Sequence, residues 1–461
     1  MSTLSSILNT GRRAIQVQEL AMQVIGHNTA NVNTEGYSRQ RLDFRTSPPG
    51  GLGMYNTGSG VDVDRLARVR DSLLDVQIRE SRSQIGYWQQ RNESLQNVES
   101  TLNGLGNVNI DTRLQQFWSA WSDLANDPES ESSRLALLQR SQSLTTSIRR
   151  AYSDLTDQLT NANDQIAVEV SKVNQLTAQI AALNIAVNQA ELNGNEASDL
   201  RDQRDLILEE LSGIIDVSSQ EQEGGAINVY SGGQILVQVG SNVNLHVSSI
   251  AGTSSELPTI KHGITGTEMQ ISQGSLRALL DLRDADIRPA LEDLDTLATT
   301  LSSRINEIHR TGYGLDNTSG INFFASDVSG AADLRINDVI IDDVARIASA
   351  SLPDAAGDNS TALAIAAVQH EKLLNDGRAT LDEFNRNISL RAGSNLSYAL
   401  AQLEIEDAAQ ENLLNRRASI SGVSIDEEMT RMIQVQKAYD AAAKIVKTVD
   451  EMINTLLSMK A

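Results

Sequence analysis

Residues 424–457 read SIDEEMTRMIQVQKAYDAAAKIVKTVDEMINTLL, and the architecture turns on them. Ile425, Met432, Tyr439, Val446 and Ile453 recur every seventh residue, while Val435, Ala442, Val449 and Leu456 fill the second seam position. In the first repeat that second position falls to Glu428, with Met429 beside it. Apolar residues paired in this way at every heptad mark a helix that buries one narrow stripe against another helix. Ser424-Ile425-Asp426-Glu427 has the form of a capping box and places the helix start. Glu427 with Arg431, and Asp440 with Lys444, stand i,i+4 in the favourable acid-first order.

The opposite tip carries a matching stripe of Leu4, Ile7, Leu8, Ala14, Ile15, Ala21, Met22 and Ile25. This helix is expected to run to about Thr29, where Asn31, Asn33 and Gly36 break it. Each tip offers an apolar face and neither contains its own partner. Both are therefore expected to be mobile in the monomer and to become ordered against neighbouring copies.

Working inward, a third seam runs Tyr152, Leu155, Leu159, Ala162, Ile166, Val173, Leu176, Ile180, Leu183, Val187 and Ala190, broken only at Glu169 beside Val170. Flanking helices are expected over 64–103, 111–126, 198–212, 274–311 and 361–418. Alternation at Leu42/Phe44 and Val61/Val63, around Ser47-Pro48-Pro49-Gly50-Gly51, predicts a hairpin across 38–63. Between 214 and 272 the helical period stops. Short runs such as Ile227-Asn228-Val229-Tyr230 and Ile235-Leu236-Val237 alternate there with Gly-Gly turns, which reads as a small β insertion. A second β-like patch lies at Asp333-Leu334-Arg335-Ile336. The fold class is mainly α with a small β domain. The domains nest: 1–35 with 420–461 as a terminal coiled coil, 36–213 with 273–419 as a helical body carrying a β hairpin, and 214–272 as a β-rich outer domain.

Composition narrows the function. Of 461 residues only 3% are aromatic although 40% are hydrophobic, which suits thin helical layers better than one thick core. The net charge of −22, with no Lys/Arg run, argues against nucleic-acid binding. The absence of cysteine excludes disulfides and thiolate chemistry. No charged-then-apolar leader opens the chain, and no run reaches the ~18 apolar residues of a membrane span. Alone, this reads as cytoplasmic.

No catalytic group, cofactor or metal site is expected. The histidines at 27, 246, 262, 309 and 370 are scattered, and Leu374 stands where a zincin-like His370-Glu371 would need a second histidine. Asp342-Asp343 has no companion base or nucleophile and reads as a solvated face, and Trp118 and Trp121 read as core anchors.

Three segments carry a resemblance. Asn28-Thr29-Ala30-Asn31-Val32-Asn33-Thr34-Glu35-Gly36-Tyr37, extended by Ser38-Arg39-Gln40, is similar to the N-terminal signature of flagellar rod, hook and hook-associated proteins. Gly58-Ser59-Gly60-Val61-Asp62-Val63 with Arg68, Arg70 and Asp71 resembles that family's entry into its first body helix. Ser421-Gly422-Val423-Ser424-Ile425-Asp426-Glu427-Glu428-Met429, with Gln434 to Ala441, looks like its C-terminal signature. The resemblance implies a non-enzymatic axial subunit at the hook–filament junction, exported to the cell exterior by the flagellar type III route. It implies self-assembly through the two terminal stripes, with Asn28, Asn31, Thr34, Gly36, Tyr37, Ser421 and Gly422 as hinge residues. Implied partners are sister copies, the hook protein, the second hook–filament junction protein, and an export chaperone on the C-terminal helix. A cytoplasmic coiled-coil scaffold, or another rod or hook protein, is the competing reading.

Overall fold

In the computed structural model, which describes residues 2–47, 58–104, 109–192, 196–248 and 258–459, the two tips of the chain lie side by side. Helix α1 (Ser2–Ala30) packs along helix α11 (Ile425–Ser458). Asn28 meets Glu428, and Gly11 faces Ala442 and Val446, so the two helices run antiparallel. Each terminal stripe finds its first partner in the other, within one chain, and not first in a neighbouring copy as the separation of the two tips in sequence led one to expect.

The described residues form two compact units, both discontinuous in sequence. The first comprises residues 1–85, 170–274 and 406–461. It holds the α1/α11 pair and the antiparallel hairpin of β1 (Gln40–Thr46) and β2 (Val61–Arg68), in which Leu42 pairs with Leu66 and Phe44 with Val63. The Pro-Pro-Gly-Gly tip of that hairpin lies outside the described residues. Alternation continues through Leu66, so residues expected to begin a helix at 64 are strand instead. Helix α2 (Ser72–Asn103) starts only after Asp71, whose carboxyl accepts the Leu73 and Leu74 amides.

The β insertion belongs to this first unit and is not a body of its own. Strands β3 (Ser218–Glu221), β4 (Ile227–Ser231), β5 (Gln234–Gln238) and β6 (Ser241–Asn242) form one antiparallel sheet in chain order. Strands β7 (Leu245–Val247) and β8 (Ile260–His262) form a second. Both are fastened to the long helix α4 (Glu131–Glu191) by asparagines. Asn184 bonds the Ile227 amide and the Ile227 and Val239 carbonyls, and Asn174 exchanges two bonds with Leu245. Those side chains satisfy backbone groups that a separate small sheet would leave bare.

The second unit, residues 86–169 and 275–405, has a dense aromatic core. Helix α3 (Ile110–Asn126) supplies Trp118 and Trp121, buried as expected, and with them Phe117; Phe117 and Trp121 pack against Phe323, and Phe117 also against Phe324. Helix α6 (Ser275–Asp281) passes through a π turn at Leu282–Ile287 into α7 (Arg288–His309). A short α8 (Asp338–Asp342) follows. The expected patch at 333–336 forms only an isolated bridge, Ile336 to Phe324. The helix expected across 361–418 is two: α9 (Ser360–Ala367) and α10 (Leu381–Ser421). Between them Asn375, Asp376 and Gly377 all take positive φ, a turn no helix can carry through.

Candidate assembly site

The site is built where α1 ends, within the first unit. Asn28 is 1% exposed and uses its whole carboxamide. Its oxygen accepts from the Gln40 amide at 3.0 Å and from the Tyr37 hydroxyl at 2.7 Å. Its nitrogen donates to the Gln40 carbonyl at 2.9 Å and to Glu428 Oε2 at 3.2 Å. Exchanging both bonds with Gln40, this side chain acts toward β1 as a strand residue would. The exchange also fixes which way the amide points, since Gln40 offers one donor and one acceptor.

Gly36, at φ 74°, makes the reversal that returns the chain to Asn28. Asn31 bonds back to the His27 carbonyl and accepts from Thr34, closing the turn locally. Tyr37 gives its proton to Asn28, so His27 Nδ1 donates to the phenol oxygen, 3.0 Å away. Burial, and then the charges of Asp199, Asp202 and Glu428, push the Tyr37 phenol above its usual range and keep it a donor. On the α11 side, the Arg39 amide donates to the Ser421 carbonyl at 3.0 Å and its guanidinium to Glu427 at 2.8 Å. The residues expected to form a hinge thus make a hydrogen-bonded lock.

A second cluster holds that lock to helix α5 (Ser198–Ile214). Asp202 accepts from the Ser38 amide and hydroxyl, both at 2.8 Å, and from Arg68 at 2.8 Å. Asp205 accepts from Arg68 at 2.8 Å and Arg70 at 2.5 Å, and Gln40 reaches Asp199 at 2.8 Å. Burial pushes the Asp202 carboxyl up against the pull of Arg68 and Ser38. Burial acts on Asp205 too, but Arg70 and Arg68 overcome it and hold that carboxyl below the usual range. The three aspartates were not singled out in the sequence. Their only signal there is the spacing 199, 202, 205, which sets them along one side of a helix.

Of the seam residues, Ala21, Ile25, Ala442 and Val449 are buried. Leu4, Leu8, Ile15, Met22, Met432, Val435, Tyr439, Val446 and Ile453 are half-buried. Ile7, Ile425 and Leu456 stay exposed, at 46%, 49% and 52%. Ser424 is the N-cap of α11, but its side chain makes no capping bond, and Glu427 turns to Arg39 instead of closing the box. Gly422 sits where a Cβ would come within 2.3 Å of the Ala418 carbonyl oxygen, so the α10–α11 corner requires glycine. A further apolar line, Ala438, Ala441, Ile445, Met452 and Met459, follows helical spacing on the exposed flank of the α11 seam and is joined by the exposed seam residue Leu456. Elsewhere, Glu371 of the His370-Glu371 pair is held by Arg304 at 2.7 Å.

Residues 95–324 match the family described as the flagellar hook-associated protein FlgK helical domain. Residues 416–459 match the flagellar basal body rod FlgEFG protein C-terminal family. Flagellar hook-associated protein 1 of Bacillus subtilis (strain 168) is 29% identical over 499 positions, covering 98% of this chain and 97% of that protein. Its namesake in Escherichia coli (strain K12) is 24% identical, covering 99% of this chain and 100% of that one. The solved flagellar hook junction protein FlgK from Burkholderia pseudomallei shares the fold, with a TM-score of 0.66 at 14% identity over 75% of this chain and 100% of that chain.

Proposed function

This chain belongs to the flagellar hook-associated protein family, and from that premise we propose that its copies assemble between hook and filament through the α1/α11 pair. The observation that carries the reading is the second apolar line on α11. Ile445, Met452, Leu456 and Met459 are 48%, 51%, 52% and 80% exposed although α1 already covers the seam. A row of that kind, left largely exposed beside the intramolecular contact, with only Ile445 reaching Gly11 at its edge, is what a helix needs to bury itself between neighbours. The antiparallel register supports it further. With Gly11 beside Val446, the last turn of α11 overhangs the start of α1 and offers its side chains to another copy.

In this reading the protein is a building subunit that performs no catalysis. The polar cluster at the end of α1 is spent on holding the hairpin, α5 and α11 together, with Asn28, Tyr37, Asp202 and Asp205 all bonded internally. The subunit reaches the cell exterior through the flagellar export channel. It contacts the hook protein on one side and the second junction protein on the other, and a chaperone masks α11 beforehand. Deleting residues 425–461 tests the reading. Cells carrying the deletion are expected to shed filament subunits into the medium and to lose motility, and normal swimming would refute it.

A further inference from the structure

Apolar matching along α11 repeats every seven residues, so it cannot by itself say where α11 stops along α1. Met432 with Val435, Tyr439 with Ala442, and Val446 with Val449 present equivalent surfaces, and a slip of one heptad would move the helix ~10 Å while keeping the seam apolar. Two residues break the equivalence. Glu428 occupies a seam position and is 0% exposed. Counting back by sevens from Asn28 gives Ala21, Ala14 and Ile7, so Asn28 occupies a seam position of α1. The two meet at 3.2 Å.

We infer that Asn28 and Glu428 form the polar layer that sets the register of α11 on α1. Asn28 is a rigid reference, because its bonds to Gln40 and Tyr37 aim the amide nitrogen at α11. Glu428 has one oxygen on that nitrogen, and its other, buried oxygen faces only the Arg39 guanidinium, whose Nε lies 4.0 Å away. A heptad slip toward the start of α1 would set the carboxyl against Ala21, with no donor in place of the amide, and leave a buried acid unpaired, while the opposite slip would carry it past the end of α1 at Ala30 and give up the Asn28 bond. Because Gln40 begins β1 and the Arg39 amide bonds Ser421, the register is referred to the hairpin and to the end of α10 as well. Glu428 is a positioning residue. The inference concerns the isolated chain and is independent of the assembly reading.

The absence of cysteine makes the test direct. Exposed Gln16 and Lys437 are each replaced by Cys in the full-length chain and spin-labelled, and the distance distribution between them is measured by pulsed electron resonance. The parent is expected to give one population. Glu428→Gln, which keeps an oxygen for the Asn28 amide, should give the same one. Glu428→Leu should retain its helix by circular dichroism but add a second population from helices displaced by one heptad. A single parent-like population in Glu428→Leu overturns the inference. So does loss of the terminal helix, because an apolar residue there should leave the pairing intact and only its register undetermined. A parent or Glu428→Gln sample already split between registers overturns it too.

Discussion

Asn28 shows how much one side chain can decide. Its amide bonds the Gln40 amide and carbonyl, the Tyr37 hydroxyl and Glu428, all within the buried corner where α1 ends. Asn28→Ala is expected to destabilise the first unit by on the order of 3 kcal/mol, because buried groups lose partners as well as contacts. Asn28→Asp should not rescue it, since an oxygen would then face the Gln40 carbonyl and Glu428; urea denaturation of both variants checks this. In the second unit, His309 is wholly buried, bonding the Ile321 carbonyl through Nδ1 and accepting the Ala348 amide at Nε2. Burial lowers its pKa from 6.5 to about 4, so between those values the unfolded chain binds the proton that the folded chain refuses. The stability contributed by neutral His309 is complete above 6.5 and falls by about 3 kcal/mol as pH drops to 4. His309→Gln should flatten that part of the pH dependence, read as the difference between the two proteins in urea midpoints at pH 7 and pH 4.

At the scale of elements, two helix starts that look alike in sequence should behave differently. Asn109 caps α3 with its side chain, accepting the Thr112 amide at 2.9 Å, so Asn109→Ala is expected to cost ~1 kcal/mol. Ser424 stands at the start of α11 without such a bond, and Ser424→Ala should change stability by less than about 0.5 kcal/mol. Thermal melts of the two variants separate a working cap from a capping pattern. The same contrast explains what was legible. The α1, α4 and α11 helices were readable because their period persists over many turns, and the Asn28-to-Tyr37 segment because short polar residues and glycine concentrate there. The split between α9 and α10 was missed although Asn375-Asp376-Gly377 is a turn sequence, since helical residues on both sides dominate the pattern. The Ser38, Arg68 and Arg70 contacts to α5 span more than a hundred residues each, and no local period reports a pairing of that range. Ser424 and Glu427 were misread for a related reason: Arg39, far off in sequence, competes for the glutamate.

At the scale of the whole molecule, the two apolar lines of α11 divide the labour. Ala442 and Val449 are buried against α1 and stabilise the monomer, whereas Met452, and Leu456 where the seam runs past the start of α1, each about half exposed, add little to it. Replacing the latter pair together, Met452→Gln with Leu456→Gln, is therefore expected to leave the melting of the isolated chain nearly unchanged, within about 0.5 kcal/mol per site. In an assembly, where that face is covered by a neighbour, each residue should be worth ~1.5–3 kcal/mol per subunit contact. Because every copy repeats the loss, a modest defect per contact is multiplied along the polymer. Light scattering of concentrated protein and filament retention on cells are the two measurements. Folding like the parent's with self-association lost would place the assembly surface on this line. Unaltered association would mean that neighbours meet elsewhere on the subunit, even with the helix pair intact.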